Sequence, residues 1–252
     1  MSPHKKKTIY QILVNSGIVK SRKEALALIK KQKVTVNDKI ITHLHYQSDP
    51  KREKIRVDNK NITIVKKRYF VLNKPRGLIT TKENILTLLS KNMNINENEI
   101  KSYSPVGRLD KNTTGIIIIT NDGDLAYKVL HPDKNVEKSY EVLINGILDK
   151  SKVDKLESGV EIELEENGVI TKYKTMPSKI EIIDKDKDKE NTKLIITIRE
   201  GKKRQVKRMF ESQNQKVLSL RRIKIGNLDA RKLNFGKFRE LTKEEIYHFV
   251  FG

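Results

Sequence analysis

From residue 68 to residue 225 the apolar residues come in short continuous or alternating runs rather than at helical spacing. Tyr69-Phe70-Val71-Leu72, the four isoleucines Ile116 to Ile119, Tyr140 to Ile144, Leu194 to Ile198 and Val217 to Ile225 each read as a strand. Turn chemistry separates them: Asn73-Lys74-Pro75-Arg76-Gly77 is a rigid basic turn, and Asn121-Asp122-Gly123 closes the isoleucine run. Helical patterns are interspersed without strict alternation. A weak one lies around Ile85 to Leu89 and is followed by a polar loop over 92–99. Others cover Asp124 to Leu130, a basic stretch after Glu200-Gly201 with Val206, Met209 and Phe210 on one face, and a final segment capped by Thr242-Lys243-Glu244-Glu245. The first sixty-odd residues have a different texture. Thr8 caps a short helix with Ile9, Ile12 and Leu13 on one face and Gly17 as its stop. Ser21-Arg22-Lys23-Glu24 starts a second, carrying Ala25, Leu28 and Ile29. Val34-Thr35-Val36 and Ile40-Ile41 flank a hairpin turn, and Ile55-Arg56-Val57 and Ile62-Thr63-Ile64 add two short strands around Asn59. The fold class expected is α+β. A small two-helix and β module over 1–65 precedes a mixed, mainly antiparallel sheet domain with flanking helices over 66–252.

The charge changes the picture more than the length does. The 252 residues contain 53 Lys and Arg against 32 Asp and Glu, a formal net charge of +21 spread along the chain. Such a field concentrates polyanions, with nucleic acid the first candidate and an anionic membrane surface the second. Arg22, Lys23, Lys30 and Lys31 lie on or next to the second helix with few acids among them, which points to RNA rather than a merely solvated face. No apolar run approaches the roughly 20 residues of a membrane-spanning helix, and no signal-peptide core is present, so the expected location is the cytoplasm. Zero cysteine excludes disulfides, thiolate nucleophiles and cysteine-ligated zinc.

Several patterns that carry chemistry elsewhere fail here. Asp184, Asp186 and Asp188 alternate like the start of a calcium loop, but Lys189 and Ile195 stand where glycine and glutamate are needed; a solvated hairpin tip is expected. The five histidines, His4, His43, His45, His131 and His248, have no metal-site spacing, although His43 and His45 would share one side of a strand. No phosphate-cradling glycine loop and no GxSxG occurs, so no metal, nucleotide cofactor or serine nucleophile is expected.

What remains is an acid in an unusual place. In "VGRLDKNTTGIIIITNDGDL" Arg108, Leu109 and Asp110 stand at the mouth of an apolar strand. Taken alone, Asp110 fits a turn-capping acid as well as a reactive one, Tyr140 fits a core tyrosine, and the helix over 202–208 fits a solvated face. Three other elements accompany them: "NKPRG" (73–77), "KSY" (138–140) and "EGKKRQVKRM" (200–209).

Together these motifs resemble the bacterial ribosomal-RNA pseudouridine synthases. The branch they match carries an S-four-like RNA-binding module before the catalytic domain; residues 5–65 resemble that module, and the likeness covers nearly the whole chain. The resemblance implies that Asp110 is the catalytic acid, that Tyr140 stacks on the target uracil, and that Lys207 pairs with the carboxylate. Arg108 and Leu109 would support the site, with Arg108 holding RNA backbone or the place vacated by the base. Arg22, Lys23, Lys74, Arg76, Lys203, Arg204 and Gln205 are the expected RNA-binding residues. Thr114 replaces a common serine, and the stretch between Thr81 and Leu89 is shorter than is usual after the "KPRG" turn.

The chemistry suits these residues. Pseudouridine forms when the ribose–nitrogen bond breaks, the uracil turns, and carbon replaces nitrogen, with no redox change and no net water. One carboxylate can act as nucleophile or assist proton removal, and the resemblance leaves both a covalent and a glycal-type route open. A carboxylate buried beside apolar strands would have a raised pKa, which a cation such as Lys207 opposes. The function expected is isomerisation of a uridine in ribosomal RNA, by a monomer that needs no cofactor. Large-subunit (23S) rRNA is favoured by "RYFVLNKPRG", "GRLD" and "EGKKRQVKRMF"; small-subunit (16S) rRNA is the alternative. A non-catalytic RNA-binding assembly factor is the reading from another class, and intact Asp110, Tyr140 and Lys207 weigh against it.

Overall fold

The computed structural model describes residues 6–19, 21–63, 65–229 and 231–252. The chain divides into two compact units, the first containing residues up to 67 with 86–104, the second 68–85 with 105–252.

In the first unit, α1 (Ile9–Asn15) starts from Thr8, whose hydroxyl accepts the Gln11 N–H while the Gln11 side chain accepts the Thr8 N–H. Helix α2 (Arg22–Lys30) starts from Ser21, which accepts the Glu24 N–H. Strands β1 (Val34–Val36) and β2 (Lys39–Ile40) turn through Asn37 and Asp38, both at positive φ (49° and 66°), the backbone that a tight two-residue hairpin requires. Strands β3 (Ile55–Val57) and β4 (Lys60–Asn61) repeat the device at Asp58 and Asn59, giving a sheet of order β2-β1-β3-β4. The fourth strand therefore precedes the expected segment: Ile62 and Thr63 follow it, and Ile64 lies outside the described residues, as does His4. His43 and His45 occupy a loop and turn rather than a strand; His45 Nε2 lies 3.2 Å from the Arg22 guanidinium. Ile9, Ile12, Leu13, Ala25, Val34 and Ile55 are among the core residues.

The second unit is built on a long sheet. Its seven main strands are β5 (Tyr69–Lys74), β6 (Thr114–Thr120), β7 (Lys138–Asn145), β10 (Lys179–Asp186), β11 (Asn191–Ile198), β12 (Lys216–Ile225) and β13 (Phe238–Leu241), and the short segments Ser104–Pro105 and Leu228–Asp229 pair onto β6 and β12. Strands β8 (Glu161–Glu166) and β9 (Val169–Lys174) form a separate hairpin over Asn167-Gly168, an Asn-Gly signal that predicts a turn directly and that the apolar-run pattern passes over. The sheet order is β10-β11-β7-β12-β6-β5-β13. Every neighbouring pair is antiparallel except β12 with β6. At that parallel junction Arg222 faces Gly115, whose φ is +106°; a Cβ there would lie 2.0 Å from the Arg222 carbonyl oxygen. Glycine is required by the close approach of the two backbones.

Helix α3 (Lys82–Asn92) is longer than expected, and the following polar loop contains a helical turn at Glu97–Ile100. Helix α4 (Gly123–Leu130) is capped by Asp122, which accepts the N–H groups of Asp124 and Leu125. Helix α5 (Lys150–Ser158) follows, then α6 (Gln205–Glu211) and α7 (Lys243–Phe251), the last opened by a full capping box between Thr242 and Glu245. Val206, Met209 and Phe210 of α6 pack on Val142, Leu194 and Ile196; Leu125 and Val129 of α4 pack on Val71, Ile116 and Ile118. The hairpin of β10 and β11 ends in a lysine-aspartate tip, where Lys189 pairs with Asp186 at 3.1 Å. Among the described residues no helix is long and apolar enough to cross a membrane.

Candidate active site

The loop before β6 is held by the turn after β5. Thr80 pins Leu109 from both sides: its hydroxyl donates to the Leu109 carbonyl (2.7 Å) and accepts the Leu109 N–H (3.2 Å). The Gly77 N–H donates to the Lys111 carbonyl (2.8 Å), and the Asp110 carbonyl accepts the Thr113 N–H. Lys74 is fully buried, with its ammonium on the carbonyls of Pro75 and Leu78 (3.0 and 2.7 Å) and 3.4 Å from that of Lys111. Burial lowers its pKa to about 8, against the opposing field of Asp110. Lys74 is thus a clamp between the two motif loops: a sequence reveals the charge but not its depth. Arg76, by contrast, is exposed.

A cleft of about 150 Å³ opens beside this loop. Arg108, Leu109, Asp110, Tyr140, Arg204 and Gln205 line it, together with Val206 and Leu220. Lys207 of α6 lies with its ammonium 3.5 Å from the Asp110 carboxylate; the side chains are 15% and 38% exposed. The carboxylate therefore stands at the edge of the cleft, not in the core, with a cation beside it. Tyr140, on the inward face of β7, is nearly buried. Arg108, Lys203 and Arg204 are exposed, and Arg204 also reaches Glu211 at 3.6 Å.

Gln205 is likewise inward. It is buried, its amide donates to Glu200 (2.6 Å), and its oxygen accepts the Lys202 N–H, so it braces the cleft wall. Glu200 itself is buried and accepts hydrogen bonds from the Tyr173 hydroxyl and, at 2.8 Å, the Met176 N–H. These bonds fix the start of α6 and with it Lys207.

Two cleft cations do not appear among the sequence candidates. Lys138 and Arg222 are both 6% exposed, and both line the cleft. Arg222 donates from Nε to the Ile116 carbonyl (2.7 Å), while its Nη2 is buried without a hydrogen-bond partner. Burial, and then the charge of Arg222, lower the Lys138 pKa to about 8. A buried ammonium without a carboxylate costs stability. Lys138→Met is therefore expected to be more stable at pH 7 by about 2 kcal/mol, a Tm rise of about 4 °C. The sign follows from the lowered pKa. Above pH 8 the folded chain sheds the Lys138 proton while the unfolded chain keeps it to about 10.5, so the native protein regains stability as the pH rises. Thermal melts at pH 7 and pH 10 check this: the advantage of the methionine variant should shrink at pH 10, and an advantage independent of pH would refute it.

The chain belongs to the RNA pseudouridylate synthases, whose family model matches residues 68–212, and the S4 domain model matches residues 9–53. It is an enzyme of that class, with a chain plan shared by its relatives. The ribosomal large subunit pseudouridine synthase B of Bacillus subtilis is 34% identical over 243 residues, covering 94% of this chain and 93% of the relative. The ribosomal small subunit pseudouridine synthase A of Vibrio cholerae is 32% identical over 232 residues, covering 90% and 92%. A crystal structure of a pseudouridylate synthase superposes with a TM-score of 0.64 at 27% identity, covering 96% of this chain and 99% of that one.

Proposed function

We propose that this chain converts one uridine of ribosomal RNA to pseudouridine, with Asp110 opening the reaction. The observation that carries the reading is the Asp110–Lys207 pair, 3.5 Å apart, with Asp110 lining a cleft whose wall includes Tyr140. A uridine in folded RNA must leave its stack to reach Asp110, at a cost of a few kcal/mol. Stacking on Tyr140 returns about 1–3 kcal/mol of that. Lys207 pairs with Asp110 and orients it toward the sugar, where it adds as a nucleophile or assists removal of a proton. Leu109, tied at both ends by Thr80, holds the carboxylate's backbone in place.

In this reading the module of residues 1–65 supplies affinity and residues 66–252 the chemistry. Arg22 and Lys23 are exposed on α2, and Arg76, Arg108, Lys203 and Arg204 are exposed on the catalytic unit, as phosphate ligands need to be. The double variant Arg22→Glu, Lys23→Glu is expected to weaken rRNA binding at least about tenfold at physiological salt and to reduce the slope of log K against log salt by about 2. Filter binding over a salt series checks this, and an unchanged slope would remove α2 from the interface.

Large-subunit rRNA is the favoured target, supported by the likeness to the Bacillus subtilis large-subunit enzyme. The likeness to the small-subunit enzyme of Vibrio cholerae supports the second reading. In this reading the enzyme works as a monomer in the cytoplasm. Tritium release from unmodified 23S and 16S transcripts labelled at uracil C5, followed by mapping of the modified nucleotide, tests the assignment. Release from neither transcript would overturn it.

A further inference from the structure

We propose that Arg222 and Lys138 form the seat of the detached uracil ring, holding the carbonyl oxygens onto which its negative charge spreads while the ring is unattached. The inference rests on the isomerase reading of the same cleft and adds to it the groups that act on the base rather than on the sugar.

The placement carries the argument. Tyr140 and Arg222 are partners in the β7–β12 ladder, and Lys138 lies two residues before Tyr140, on the same face of β7. The aromatic and both cations therefore converge on one surface of the cleft. Arg222 cannot swing out: its Nε is bound to the Ile116 carbonyl, and its backbone is locked against Gly115 by the parallel junction. Its Nη2 is left buried with no hydrogen-bond partner. Among the described residues neither cation has a carboxylate in contact, and the pair repel one another, which contributes to the lowered Lys138 pKa. The cleft's buried acid, Glu200, is occupied by Tyr173, Met176 and Gln205. Two buried cations without a carboxylate partner are expensive to keep in a folded protein, and an anionic or strongly dipolar ligand is what offsets the cost.

The choice between backbone phosphate and base follows from depth. Arg108, Lys202 and Arg204 are exposed and line the cleft, so they meet phosphate first. Lys138 and Arg222 line the same cleft but are both 6% exposed, and a cleft of about 150 Å³ has room for one planar base. Val206 and Leu220 give that space apolar walls, which strengthen any charge interaction inside it.

The electron count calls for such a seat. When the bond between C1′ and N1 breaks, its electron pair stays on the ring, and the charge spreads to O2 and O4. The sugar is relieved by bonding to Asp110, or by loss and later return of the C2′ proton. The ring then turns and C5 bonds to C1′, with release of Asp110 in the first case. C5 loses its proton and N1 ends with one, so the ring is neutral again and no net proton is consumed. Donors fixed before the reaction, in a water-poor site, act on the charge that develops in it.

The test uses full-length Arg222→Gln and Lys138→Met with an rRNA transcript on which the wild type is active, under single-turnover conditions with enzyme in excess. Tritium release from C5 is expected to slow about a hundredfold or more in each variant, while the Kd for the transcript stays within about threefold. The same transcript carrying 4-thiouridine or 2-thiouridine, whose sulfur is a poor acceptor, should react slowly with wild type. With Arg222→Gln at least one of the two sulfur substitutions should cost little further. A loss seen wholly in Kd would make these cations phosphate ligands and overturn the proposal. So would sulfur penalties that are undiminished in both variants. Lys138→Met removes a buried charge without opening a cavity, so it reads the proposal even where Arg222→Gln does not fold. A wild type inactive on every rRNA transcript strikes instead at the choice of substrate.

Discussion

Asp110→Asn is expected to lower tritium release by at least about a thousandfold, because the amide can neither add to the sugar nor accept a proton as the carboxylate does. Asp110 is 38% exposed in its side chain and its pair with Lys207 spans 3.5 Å, so the substitution should leave the thermal transition within a few degrees of wild type. RNA affinity should be equal or higher, since the change removes a negative charge from a surface that meets phosphate. Release, a thermal melt and filter binding on the same preparation check all three. Wild-type activity in the variant would place the chemistry elsewhere.

The second large effect is structural. Gly115→Ala puts a methyl group 2.0 Å from the Arg222 carbonyl oxygen and 2.7 Å from its nitrogen, at a φ of +106°. Backbone cannot move aside as a side-chain tip can, so β12 must leave β6. A loss of at least about 3 kcal/mol is expected, a Tm fall near 10 °C. Gly77→Ala is the matched control: its φ is +88°, but a Cβ there meets nothing within 4 Å. It should cost about 1 kcal/mol, the ordinary penalty of a left-handed residue with a side chain. Differential scanning calorimetry of the pair separates strain in φ from collision between strands; equal shifts would deny the collision.

Much of this protein was legible in its residues. The isoleucine run, the helix caps at Thr8, Ser21 and Thr242, and the turns at 37–38 and 121–123 are local signals with local causes, and each produced the expected element. The motif residues 110, 140 and 207 come together in space, as the family resemblance implied. What a one-dimensional pattern does not encode is depth. Lys74 and Gln205 sit in basic stretches yet face inward, because neighbouring carbonyls and Glu200 satisfy them. Arg222 ends the polar half of "SLRRIKI", where alternation alone reads as a half-exposed strand; its burial depends on Ile116, more than a hundred residues earlier. The hairpin over 161–174 has a plain Asn-Gly turn but few apolar residues on its outer face, so a reading led by hydrophobic runs passes it by.

The order of strands in the long sheet has a consequence for synthesis. Strand β12 lies between β7 and β6, yet it leaves the ribosome after both. Until then β7, β10 and β11 can pair with one another, and β5 with β6, but the two groups lack the strand that joins them. Closing the sheet requires contacts spanning roughly half the chain, the kind of pairing that slows folding. The same strand brings Arg222 to the cleft. A nascent chain that has already made Asp110, Tyr140 and Lys207 therefore holds no assembled site, and a highly basic polypeptide emerging among ribosomal RNA stays chemically silent until β12 has followed.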